Sequence, residues 1–150
     1  MTSKVDLEIE AKLTRSQTPE ERELIQPRVL IVDDDEGIVS ACREFFSNEG
    51  YETHTAHLSE DALDFLSKKS VEVVITGINQ PNISGLELTK IIKENYDIDV
   101  IIFTGWKQDG LYEKARSVGA SDFFYKPVTL VELLNSIKKV TKKRRLASNP

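Results

Sequence analysis

What this chain lacks narrows it early. Its 150 residues hold one cysteine, one methionine and one tryptophan. The single thiol, Cys42, forms no internal disulfide and falls on the apolar side of a predicted helix, which fits a reducing cytoplasm. No stretch approaches the roughly 18 apolar residues that a membrane-spanning helix needs. The first residues carry Asp6, Glu8 and Glu10 without a continuous apolar core, so they do not read as a secretory signal peptide. Internal repeats and low-complexity segments are absent. The net charge of −5 argues against general affinity for nucleic acid. The most informative absence is local: between Val73 and Leu86 there is no Asp or Glu.

What is there describes one globular domain with appendages. Hydrophobic residues make up 39% and charged residues 30%, an ordinary soluble composition. A domain of this length can bury roughly 68–70% of its unfolded surface, so no metal or disulfide is needed to hold it. From Arg28 onward strand-like and helix-like patterns alternate, the mark of a parallel sheet covered by helices on both faces. Val29 to Val32 reads as the first strand. Ile38, Cys42, Phe45 and Phe46 then recur at helical spacing, with Gly50 as the stop. Tyr51 to Ala56 is a second strand, and Ser59 is a plausible N-cap for a helix carrying Leu63 and Leu66. A third strand ends at Thr76. Leu86, Leu88, Ile91 and Ile92 mark a third helix, and Val100 to Phe103 a fourth strand ending at Thr104. Leu111 to Val118 is a short helix closed by Gly119, and Asp122 to Tyr125 a fifth strand. Thr129 and Glu132 have the spacing of a capping box, opening a last helix through Leu133, Leu134, Ile137 and Val140. The plan is five βα units.

Residues 1–27 form an N-terminal extension to that plan. Val5, Leu7, Ile9, Ala11 and Leu13 alternate with polar residues, a period of two that favours a half-buried strand. Thr18, Pro19, Glu20 and Glu21 look like the start of a short helix to about Ile25. Either this segment is a leader, or its strand docks on a sheet edge or on a second chain. The domain proper is set at 28–143, with 144–150 as a tail. Lys138, Lys139, Lys142, Lys143, Arg144 and Arg145 make a basic block there.

In a doubly wound sheet, functional groups gather at the carboxyl ends of the strands. Asp33, Asp34 and Asp35 follow the first strand, Gly77 follows the third, Thr104 ends the fourth, and Lys126 with Pro127 follows the fifth. Gly77 stands four residues before Pro81, in VEVVITGINQPNISGLEL. With that joint spacing, Arg28 to Val140 resembles a response-regulator receiver domain of the single-domain, chemotaxis-regulator type. The resemblance implies a flavodoxin-like fold with a five-stranded parallel sheet. It also implies that position 77 is where the family carries its phosphorylated aspartate, and that Gly77 offers no nucleophile there. Glu72 lies five residues back, about 16 Å along an extended strand, and Glu87 is already past Gly85 in the next helix.

By the same resemblance Asp33 and Asp34 help hold Mg²⁺ with the backbone carbonyl of Asn79, Thr104 is the hydroxyl that senses a phosphoryl group, Lys126 pairs with its oxygens, and Phe123 is the aromatic switch. Asp35 reads better as a helix cap. Without the position-77 carboxylate, Mg²⁺ should bind weakly or not at all, and Lys126 becomes the partner of the clustered aspartates, locking the pocket in one state. Trp106 is either an interface anchor or a lid over the space beside Gly77.

The reading is therefore a stand-alone degenerate receiver, not an enzyme: a cytoplasmic, phosphorylation-independent module that binds a signalling protein through its fourth helix, fifth strand and fifth helix. Only Thr141 to Pro150 remains after the last helix for any output domain. A conventional receiver inactivated by substitution at Gly77 fits equally, and a homodimer stays open. One alternative is a haloacid-dehalogenase-like phosphatase with Asp33 as nucleophile and Asp35 as acid, but that family's last acid pair is missing. Another is nucleic-acid binding through the basic tail, for which a charged last helix turn is the plainer explanation.

Overall fold

A computed structural model describes residues 26–148. The alternating segment at Val5–Leu13 and the helix start at Thr18 lie outside the described residues, as do Asn149 and Pro150. The remaining chain follows the order β1 (Arg28–Val32), α1 (Glu36–Asn48), β2 (Glu52–Ala56), α2 (Ser59–Lys68), β3 (Val73–Thr76), α3 (Gly85–Asn95), β4 (Asp99–Thr104), α4 (Leu111–Ser117), β5 (Asp122–Tyr125) and α5 (Leu130–Ser148). The strands form one parallel sheet in the order β2-β1-β3-β4-β5. The direction of the order reverses beside β1, so the loops after β1 and β3 part there and leave a crevice at the carboxyl edge.

Parallel strands buried on both faces read as near-continuous apolar runs, and β1, β3 and β4 do. Alternate residues feed two cores. Val29, Ile31, Ile75, Ile101 and Phe103 face α1 and α5, where Cys42, Phe46, Leu133 and Ile137 are buried. Leu30, Val32, Val74 and Ile102 face α2, α3 and α4, against Ala62, Leu88, Ile92 and Leu111. Truncating a fully buried side chain such as Phe46 would cost about 3–5 kcal/mol. Gly50 ends α1 at φ +93°, a left-handed conformation that glycine adopts without penalty.

Three local expectations are corrected. Tyr51 precedes β2, and its ring packs edge-on against Phe46. Ser59 does not cap α2: the cap position is Leu58, and the buried Ser59 hydroxyl donates to the carbonyl of Ile83 at 2.8 Å, tying α2 to the loop after β3. The last helix runs to Ser148, past the end expected after Val140, because Arg144 holds its final turns to the sheet. Its guanidinium meets Asp99 at 2.7 Å and Asp97 at 2.6 Å. Lys139 pairs with Asp122 at 3.0 Å, so two residues of the basic block serve this docking. Thr129 caps α5 through the backbone N–H of Glu132.

Candidate functional site

The three aspartates after β1 divide their work. Asp35 caps α1, its carboxylate accepting from the N–H groups of Gly37 and Ile38 at 2.9 and 3.2 Å, which engages the residue assigned as acid in the phosphatase alternative. Asp34 is exposed and has no hydrogen bond or ion pair among the described residues. Asp33 is 3% exposed. One of its oxygens accepts from the Asp35 N–H at 2.9 Å, and the other from the Lys126 ammonium at 2.9 Å.

Lys126 follows β5 and its long side chain reaches Asp33, after β1, across the ends of β4 and β3, which lie between those strands in the sheet. Its backbone N–H donates to the Thr104 carbonyl at 2.7 Å, and a cis peptide joins it to Pro127. Its ammonium also lies 4.6 Å from the centre of the Phe103 ring. Half-buried and paired, this charge is satisfied on one side by a carboxylate and on another by an aromatic face.

Gly77 forms the floor. Its N–H donates to the Val32 carbonyl at 2.9 Å, and its carbonyl accepts from the Thr76 hydroxyl at 2.8 Å. A Cβ at this position would lie 2.6 Å from Asp33 Oδ2 and 3.5 Å from Gln80 Nε2. The space of a side chain is thus taken by neighbours. Gly85 is glycine for a different reason: a Cβ there would run into the Gly77 carbonyl itself, where α3 crosses the β3 loop.

Gln80 is a site residue that sequence reasoning missed. It is 7% exposed, and its amide nitrogen donates to Thr76 Oγ1 at 3.2 Å and to the Val32 carbonyl at 3.4 Å, while Oε1 has no partner. Its only signal was a polar residue three positions after Gly77. Thr104 is buried, and its hydroxyl accepts from the Trp106 N–H at 3.0 Å. A cavity of about 470 Å³ is lined by Asp33, Asp34, Gly77, Thr104, Trp106 and Lys126, with exposed Asn79 on its rim. Trp106 remains 42% exposed, a wall of the cavity rather than a cover. Phe123 is half-buried between the rings of Tyr112 and Tyr125, both in edge-on contact, on the α4 side of β5. Glu72 is occupied at the far end of the sheet, in a two-pronged pair with Arg28.

A divalent cation at the mouth would find one uncommitted carboxylate, Asp34, and one held by Lys126. Among the described residues no group of three His, Cys, Asp or Glu is set to hold a metal. Mg²⁺ takes oxygen ligands in octahedral geometry and keeps several waters beside one or two carboxylates, and Asp34 is the one such carboxylate here that is uncommitted.

Residues 29–138 match the response regulator receiver domain family. The chain belongs to that family. Among characterised relatives, the receiver is 35% identical over 122 residues to the heme response regulator HssR of Staphylococcus saprophyticus, a match covering 80% of this chain and 54% of that one. It is 33% identical over 119 residues to sporulation initiation phosphotransferase F of Bacillus subtilis, covering 77% of this chain and 94% of that protein. It therefore spans about half the length of HssR. The fold is shared with a CheY-like receiver from Methanospirillum hungatei at TM-score 0.77 and 26% identity, covering 82% of this chain and 99% of that one. The receiver of a putative Luxo repressor protein from Vibrio parahaemolyticus has the same TM-score and identity, over 83% and 96% of the two chains. This receiver is of the two-component response-regulator kind, and among the described residues no helix is long and apolar enough to cross a membrane.

Proposed function

We propose that this receiver works without phosphorylation, as a module that holds a signalling protein through a permanently competent surface. One observation carries the reading. Gly77, at the end of β3, has no side chain, and the space beside it holds the Asp33 carboxylate paired to Lys126 at 2.9 Å. Acyl-phosphate formation needs a carboxylate nucleophile; positioned lysines, hydroxyls and metals can only assist one. The position that the family uses is empty, and Asp33, the nearest carboxylate, is engaged by the cation that would otherwise meet a phosphoryl group. The reading is the same whether Gly77 is natural or substituted.

The pocket then needs no metal, and Mg²⁺ binds weakly. Asp33 and Lys126 serve as each other's counter-charge and keep the carboxyl edge in one arrangement. Thr104, engaged with the Trp106 backbone, has no phosphoryl group to follow, and Phe123 rests among aromatic neighbours. The partner docks on α4, β5 and α5, where Tyr112, Tyr125 and Val131 are exposed and Trp106 stands at the edge. Large aromatic side chains are typical anchors of such surfaces.

The deciding measurement is intact mass after incubation with acetyl phosphate and Mg²⁺. The expected spectrum is unchanged. A gain of one phosphoryl group that hydroxylamine removes would mean that another carboxylate serves, and would end the phosphate-independent reading.

A further inference from the structure

We infer that the cavity over Gly77 receives a basic side chain, an arginine, from the protein partner. This rests on the phosphate-independent reading, since it fills the site with a partner's group instead of a phosphoryl group. Three independent features meet in the cavity. The first is charge. Asp34 is exposed and unpaired among the described residues, with Asp35 and Glu36 following it, while Lys126, the one cation among the cavity's lining residues, is already neutralised by Asp33. Lys107 does not line it, and Lys114 lines only the adjoining cavity, which shares Asp34, Gln80 and Trp106 with this one. Glu36 is held by His57 and Asp35 by the α1 backbone, so Asp34 is the carboxylate free to pair.

The second feature is the wall opposite. Trp106 lines the same cavity with 42% of its surface exposed, and an aromatic face beside a carboxylate is the arrangement that suits a guanidinium, whose flat weakly hydrated cation stacks and hydrogen-bonds together. The third is a buried amide beneath the floor. Gln80 is 7% exposed, its amide head is within 3.5 Å of the empty Cβ position of Gly77, and its Oε1 has no hydrogen-bond partner. A buried unpartnered carbonyl is costly, and a donor-rich ligand in the cavity relieves it once the Gln80 amide turns toward the opening. A carboxylate, a π-face and an orphan acceptor together call for a cationic donor, and the roughly 470 Å³ of space is ample for one side chain.

The test uses blocked tripeptides, acetyl-Ala-Arg-Ala-amide against its citrulline counterpart, which keeps the shape and removes the charge. Binding is read from amide shifts of Gly77 and Gly105 and from the indole N–H of Trp106, the only tryptophan in the chain. The arginine peptide should saturate these shifts in the millimolar range while the citrulline peptide does not. Asp34→Asn, at an exposed position, should leave the spectrum folded and weaken the arginine peptide about threefold to fivefold, the yield of one partly exposed ion pair. Trp106→Leu, followed through Gly77 and Gly105, should weaken it as well. Equal binding of the two peptides, or an Asp34→Asn affinity equal to that of the unaltered protein, would overturn the inference. Tighter binding of free agmatine than of the arginine peptide would assign the cavity to a small amine instead of a protein. Phosphate independence is judged separately by the mass measurement, so the two ideas fail by different results.

Discussion

Asp33 Oδ2 stands 2.6 Å from the point where a β-carbon on Gly77 would be, and 2.9 Å from the ammonium of Lys126. One carboxylate, from β1, thus takes up the room beside the end of β3 and the charge of the residue after β5.

Gly77→Asp puts a carboxylate into occupied space. The obstructing atom is the far end of a side chain, so Asp33 can rotate away, at the expense of its pair with Lys126. Two acidic groups then face Asp34 across the mouth, and Mg²⁺ affinity measured by calorimetry should rise about tenfold or more as a third hard oxygen donor is added. Phosphorylation by acetyl phosphate should follow. A folded Gly77→Asp protein that binds Mg²⁺ no better than the parent would show that the Asp33–Lys126 pair cannot be displaced.

Gly77→Ala and Gly85→Ala separate a yielding contact from a rigid one. At 77 the new methyl meets the far end of a side chain, which can turn aside, and the loss in urea denaturation should stay near 1 kcal/mol, about the scale of a perturbed ion pair. At 85 it meets the Gly77 and Ile78 backbone, which cannot step aside without moving α3. The cost should reach about 3 kcal/mol or more. Equal losses at the two positions would contradict this account of the crossing.

Asp122 makes stability depend on acid. Burial alone would raise its carboxyl, but hydrogen bonds from Ser136, Lys139 and the Phe123 N–H hold it below the usual carboxylate range. A group depressed in the folded state stabilises above its unfolded value, and that contribution is lost as pH falls through the lower folded value. The window therefore opens below about pH 4. Asp122→Asn should be less stable than the parent at pH 7, and the difference should shrink by pH 3. A difference that holds constant across the range would remove the charge from the explanation.

Trp106→Ala should weaken a partner isolated on the intact protein at least tenfold while leaving the thermal transition in place, because Trp106 is 42% exposed and a buried interface aromatic commonly costs about 2 kcal/mol or more to truncate. If binding survives and removal of residues 1–26 abolishes it, the contact belongs to the N-terminal segment and not to the α4-β5-α5 side.

The sequence by itself determined the five βα units and the residues that arrive at the carboxyl edge. Both are local matters. Alternation and helical spacing follow from which face of an element is apolar, and Asp33, Gly77, Thr104 and Lys126 sit at strand ends whatever the packing. The division of labour among the aspartates was partly legible too, since an N-cap such as Asp35 is a contact within one helical turn. Ser59 was misleading because its hydroxyl found a better acceptor 24 residues away, in Ile83, than in its own helix. The end of α5 was missed for a similar reason, its last turns being held by Arg144 reaching back to Asp97 and Asp99. Tertiary structure alone decided that Asp33 turns toward Gly77, that Lys126, 93 residues away, closes on it, and that Gln80 is buried with one oxygen unpartnered. Those depend on how much room the strand ends leave, and a missing side chain is filled by whatever neighbour the fold brings within reach.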